Sequence, residues 1–101
     1  MSDVIEGKQV TSSSLATTSG KSAKLFCYEI QHGTATQSSV TFRDGTATGT
    51  IKWVNSRAAQ TVVGDVCDKM RFPQGMAFQS GIYCVLAGTN TKLCIGYTEE
   101  A

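Results

Sequence analysis

Apolar residues along this chain recur mostly with a period of two, the spacing that puts alternate side chains on one face of a β-strand. The pattern is clearest in SVTFRDG, where Val40 and Phe42 alternate with Thr41 and Arg43, and in KLCIGYTE, where Leu93, Ile95 and Tyr97 alternate with Cys94 and Gly96. TGTIKWV sets Ile51 and Trp53 against Thr50, Lys52 and Val54. AKLFCYEI carries large side chains on both faces, Leu25 and Cys27 opposite Phe26, Tyr28 and Ile30, and predicts a strand covered on both sides. Asp44-Gly45 is a strong turn dipeptide, so the strands around Val40 and Trp53 predict a hairpin with a connection longer than a tight turn. Met76-Ala77-Phe78 and GIYCVLAG predict short strands separated by Gln79-Ser80-Gly81, and Pro73 in RFPQG marks a corner before them. GIYCVLAG and KLCIGYTE, joined through Thr89-Asn90-Thr91, predict an antiparallel hairpin.

Two stretches are less regular. His32 to Gln37 is small and polar and reads as a loop. Asn55 to Met70 reads as a strand or irregular crossing; Ser56 can cap a helix start, but Thr61-Val62-Val63-Gly64 limits it to a single turn. The first 22 residues hold one apolar cluster, Val4-Ile5, then a Ser/Thr tract whose only large apolar side chain is Leu15. They read as an extended N-terminal arm or edge segment, residues 1–22, ahead of a single β domain, residues 23–101. Roughly six to eight short strands with regularly spaced turns predict an all-β fold, an antiparallel β-sandwich or jelly roll. These local signals do not separate a jelly roll from an immunoglobulin-like sandwich.

Composition agrees and excludes several functions. The chain has 101 residues, enough for one core, and 10 Ser, 13 Thr and 10 Gly favour strands, turns and polar edges over helices. Nine Lys and Arg against eight Asp and Glu leave a formal charge of +1 with no basic cluster, which disfavours capture of nucleic acid or an anionic membrane. No apolar run approaches the ~20 residues of a membrane helix, and the residues after Met1 lack the basic and apolar regions of a signal peptide.

The chemistry-bearing residues offer little. Cys27, Cys67, Cys84 and Cys94 are spaced by 40, 17 and 10 residues, with no CxxC to place two thiolates on one metal. Three of them sit inside apolar strand patterns, so free core thiols are the leading expectation over a disulfide or a metal site. His32 is the only histidine, so any His-dependent catalysis must pass through it; beside Gly33 it reads as a solvated turn residue. Asp44 and Asp65 adjoin glycines and read as turn residues, and Asp68, Glu99 and Glu100 as exposed carboxylates. No phosphate-binding glycine motif or nucleophile elbow is present, so the expectation is a protein that is not an enzyme and holds no cofactor or metal. Trp53 is the candidate stacking platform for a sugar, against the simpler reading that it anchors the core.

Three segments together carry a resemblance: VTFRDGTATGTIKW, RFPQGMAFQSGIYCVL and LCIGYTE, covering about Ser38 to Glu99. The chain resembles small β-sandwich or jelly-roll proteins of tailed-bacteriophage particles, such as capsid decoration (cement) proteins. The resemblance implies a non-enzymatic virion protein, assembled in the host cytoplasm, that binds the exterior of the major capsid protein shell and stabilises adjacent capsomers. It further implies a homo-oligomer, for which a trimer is the expectation, and it brings no catalytic residues. Val4, Ile5 and Leu15 are then the candidate partner-binding residues. The alternatives are a carbohydrate- or receptor-binding module using Trp53, and a tail or head-to-tail adaptor.

Overall fold

The computed structural model describes residues 5–32, 37–58, 66–88 and 91–100. Eight strands follow one another: β1 (Glu6–Val10), β2 (Ser14–Leu15), β3 (Ala23–His32), β4 (Ser38–Asp44), β5 (Ile51–Arg57), β6 (Val66–Phe78), β7 (Ile82–Ala87) and β8 (Lys92–Glu99). They form two four-stranded antiparallel sheets, ordered β1-β8-β3-β6 (sheet A) and β2-β7-β4-β5 (sheet B). First therefore pairs with last, β2 with β7, β3 with β6 and β4 with β5. This is the jelly-roll order, a long hairpin rolled up so that its paired strands alternate between sheets.

The expected hairpin of β4 and β5 is present, with Phe42 opposite Trp53 and a bulge at Lys52. The expected hairpin of β7 and β8 is not. The chain crosses between sheets there, because β8 fills both its edges with β1 and β3, and β7 fills both of its own with β2 and β4. Ser56 lies within β5, and no helix occurs among the described residues; residues 59–65, where the short helical turn would fall, lie outside them. The N-terminal segment takes the edge form: β1 borders sheet A, and β2 borders sheet B.

β3 shows why its faces differ from the simple alternation. Its register with both neighbours shifts between Leu25 and Cys27, so Leu25 and then Tyr28, Ile30 and His32 all turn inward, while Cys27 turns out. Opposite the single residue Phe26, β6 accommodates Phe72-Pro73-Gln74-Gly75, a bulge in one long strand where the sequence suggests a corner. Gly75 sits there at φ 79°, and a Cβ on it would lie 3.1 Å from both Lys24 Cβ and Phe26 Cζ, so this bulge needs glycine on conformational and steric grounds alike.

The core lies between the sheets. Sheet A contributes Val10, Leu25, Tyr28, Ile30, Leu93 and Ile95, and sheet B contributes Val40, Phe42, Ile82 and Cys84. Tyr28 packs on Phe42 with ring centroids 5.2 Å apart. Only one face of each sheet is covered in this way, and β3 is not covered on both sides: Lys24 and Glu29 on its outer face are exposed. At the other end of the sandwich the Asp44 carboxylate ties the sheets, accepting from the backbone N–H groups of Gln79 at 3.1 Å and Ser80 at 2.8 Å in the β6–β7 turn.

Candidate functional site

Two features stand out: a polar cluster buried between the sheets and a charge-poor outer face on sheet B. The cluster centres on His32, the last residue of β3, which continues the inward positions of Tyr28 and Ile30. It is 1% exposed, so the solvated-loop expectation is overturned. Its Nδ1 lies 2.8 Å from Ser38 Oγ at the start of β4, and Ser38 Oγ lies 2.7 Å from Thr91 Oγ1. Thr91 Oγ1 donates to the Ala87 carbonyl oxygen at 3.0 Å. On the other side, His32 Nε2 lies 2.9 Å from Asn55 Oδ1 and 3.1 Å from Asp68 Oδ2.

Asp68 is likewise no simple surface carboxylate. Arg57 donates to it from Nε at 3.0 Å and from Nη2 at 2.8 Å, a two-point clamp joining β5 to β6 across the open side of the sandwich. Asn55 Nδ2 and Trp53 Nε1 both donate to the Tyr28 hydroxyl, at 3.1 and 2.9 Å. Trp53 packs edge-on against Phe72 with centroids 5.1 Å apart. The indole is engaged with the core edge on both its polar and apolar parts, which favours the anchoring role for Trp53 over the stacking platform. No buried side-chain polar atom among the described residues lacks a partner.

Asp68, His32 and Ser38 have the composition of a nucleophilic triad but not its geometry. A working triad holds the carboxylate on Nδ1 and the serine on Nε2; here the two nitrogens are exchanged. Ser38 has no exposed surface, and its oxygen is committed to His32 and Thr91. What this arrangement does is fasten β3, β4, β5 and β6, from both sheets, with charge-assisted and neutral hydrogen bonds.

Arg57 bonding holds the Asp68 carboxyl below the usual carboxylate range, against the opposing effect of its burial. Because the folded value is depressed, the stability this carboxylate contributes is present above the unfolded value of about 3.9 and is lost as pH falls through the folded value. Urea midpoints of the wild type and Asp68→Asn, measured against pH, are therefore expected to differ above the unfolded value. They should converge below about pH 4; a gap that stays constant in acid would show that the ionised form makes no contribution.

The cysteines are free but mostly not in the core. Cys84 alone is fully buried, and burial pushes its thiol up to about 12, leaving it unionised and inert. Cys67 and Cys94 are exposed and Cys27 is half-buried, all on the outer face of sheet A, where the bulge at Phe26 and the strand register place them. No group of three or more His, Cys, Asp or Glu among the described residues is placed to hold a metal ion.

Compared with known proteins, the chain matches no family model, no curated protein and no solved structure. The geometry of the surface therefore carries the functional argument.

The two outer faces differ in charge. On sheet A, exposed Lys24, Glu29, Lys69, Arg71 and Lys92 point outward. On sheet B, cross-strand rows run Leu15–Tyr83–Arg43–Ile51, then Val85–Thr41–Val54, then Ala87–Ser39–Ser56. Arg43 is the one charged side chain in those rows, and its Nη1 is turned aside to the Gly49 carbonyl at 2.8 Å. Ile51 and Val54 are 51% and 52% exposed. Of the expected partner-binding residues, Leu15 lies on this face, next to Tyr83. Ile5, 50% exposed, lies on the outer side of sheet A, close to Gly96, so the two do not form one patch. Val4 lies outside the described residues. Tyr83, Val85, Val54 and Ile51 escape sequence reasoning because each is locally an ordinary strand residue; only the register gathers them.

Proposed function

We propose that this chain is a non-enzymatic structural protein that docks on an assembled protein surface, as a decoration subunit on a tailed-phage capsid, through the outer face of sheet B. The rows from Leu15 to Ile51 and from Val85 to Val54, in which Arg43 is the one charged side chain, carry this reading, because depletion of charge distinguishes the centre of a protein interface from ordinary surface. His32, Ser38 and Asp68, which have the composition of a nucleophilic triad, are occupied in internal bonding, which suits a protein that works through contact area. The eight-stranded jelly roll recurs among virion proteins, which is an analogy of fold and adds weight only as such. In this reading the face beds on shell subunits and bridges adjacent capsomers, with Leu15, Tyr83 and Val54 as anchors. The charged outer face of sheet A stays in solvent.

The test is co-sedimentation with capsid shells assembled without the protein. Wild type is expected to saturate the shells at a fixed ratio. Val54→Lys, an exposed change that leaves the core intact, should reduce occupancy at least tenfold, while Lys69→Glu on the opposite face should bind as wild type. Equal binding by Val54→Lys would move the interface elsewhere, and a wild type that ignores shells would end the capsid reading.

A further inference from the structure

The heavy-atom contacts of the buried cluster are compatible with two arrangements of its hydrogens. In the first, the one hydroxyl hydrogen of Thr91 goes to the Ala87 carbonyl, which can only accept. The 2.7 Å contact between Ser38 and Thr91 must then use the Ser38 hydrogen. Ser38 Oγ is left to accept, so its 2.8 Å contact with His32 is a donation from Nδ1–H. On the far side Nε2 faces two acceptors. Asn55 presents Oδ1 because its Nδ2 donates to the Tyr28 hydroxyl, and Asp68 presents a carboxylate oxygen held ionised by Arg57. Nε2 therefore donates as well, and this first arrangement requires the imidazolium.

Removing the Nδ1 proton turns that nitrogen into an acceptor. Ser38 must then donate to it, and Thr91 must donate to Ser38, since two hydroxyl oxygens at 2.7 Å need a hydrogen between them. Thr91 can no longer donate to Ala87. The same heavy atoms thus support two hydrogen-bond directions, and each satisfies His32 and Ser38 fully. We propose that His32 is a proton-driven switch that reverses the His32–Ser38–Thr91–Ala87 relay and so sets whether the two ends of the β7–β8 connection are tied together.

The released proton passes to a solvent base. Among the described residues, the charged or titratable groups around the ring are Asp68 of β6, in contact, Arg57 of β5 behind it, and Tyr28 of β3 reached through Asn55. β4 and the β7–β8 connection bring only the hydroxyls of Ser38 and Thr91, and the nearest β8 charge, Lys92, stands opposite Gln31 on the outer side. The inference does not depend on the docking role proposed above.

The sole histidine makes the test direct. In the isotope-labelled full chain, ring nitrogen and backbone carbonyl resonances are followed by NMR from about pH 5 to about pH 8. On deprotonation Nδ1 is expected to make the large downfield move of a ring nitrogen losing its hydrogen while Nε2 keeps its own. The Ala87 carbonyl carbon should shift with the same midpoint. In Thr91→Val the ring should still titrate while the Ala87 response disappears, an outcome a merely structural histidine would not produce. A ring that keeps one charge state throughout, loss of the proton from Nε2 instead, or an Ala87 carbonyl that stays flat as His32 titrates would each overturn the switch. If Thr91→Val does not fold, the wild-type tautomer and the shared midpoint decide alone.

Discussion

Phe42→Ala is expected to cost about 3–5 kcal/mol, the largest loss of any single truncation in this chain. Phe42 has no exposed surface and sits on β4, one of the two inner strands of sheet B, between Trp53 and Cys84 in register. Its ring meets Tyr28 of the opposite sheet, and Tyr28 in turn receives hydrogen bonds from Trp53 and Asn55. Truncation removes apolar burial, opens a cavity between two sheets that cannot close without sliding, and loosens the ring that receives those bonds. Domains of this size are typically stable by about 5–15 kcal/mol, so the variant is expected to be near the limit of folding. A melting temperature lowered by roughly 10 °C or more would agree. Phe72→Ala, whose ring is only partly buried, should lose markedly less. Equal losses at both positions would show that the inter-sheet core is not centred on Phe42.

The inner strands β4 and β8 were legible because each has a covered and an open face, and the period of two survives in Val40-Phe42 and in Leu93-Ile95-Tyr97. Their partners were not. A run such as GIYCVLAG followed by a short polar connection and KLCIGYTE looks the same whether the chain folds back or crosses to the other sheet. The difference lies in β1 and β3, distant in sequence, which occupy both edges of β8. The bulge at Phe26 was hidden for a related reason: its cause is the excursion Phe72 to Gly75 on another strand, so Pro73 and Gly75 gave a turn signal without showing that the turn stays inside the strand.

The internal cluster had one readable sign. Tyr28, Ile30 and His32 share a parity, and extending β3 by a single residue pair puts the histidine on the core side. Glycine at position 33 drew the strand end too early. Nothing local could bring Asp68, Ser38, Asn55 and Thr91 to it, since they come from four different segments. The charge-poor face of sheet B is the same kind of object. Leu15 was visible as an isolated apolar residue, but its neighbours Tyr83, Val85 and Val54 become one surface only through the rolled strand order.

Gly49→Ala is expected to destabilise the fold at or above the upper end of the usual overpacking range, about 3 kcal/mol, although it adds one methyl group in a surface connection. A Cβ at position 49 would lie 2.0 Å from the Asp44 carbonyl oxygen and 3.3 Å from that of Thr46, and both are backbone atoms that cannot rotate away. The connection must therefore open. Opening it strains the Gly49 N–H donation to Thr46, the Asp44 N–H donation to Thr50 and the Arg43 contact with the Gly49 carbonyl. It also displaces Asp44, whose carboxylate holds the β6–β7 turn through Gln79 and Ser80, so one crowded methyl is felt in both sheets. Amide exchange should record this as lost protection at Gln79 and Ser80 as well as beside the substitution. Gly20→Ala serves as the comparison: a Cβ there meets nothing within 4 Å, so its cost comes from the φ of 78° alone and should stay local. If Gly49→Ala proves no worse than Gly20→Ala, then the β4–β5 connection can relax without moving Asp44, and the Asp44 clamp between the two sheets is looser than its hydrogen bonds imply.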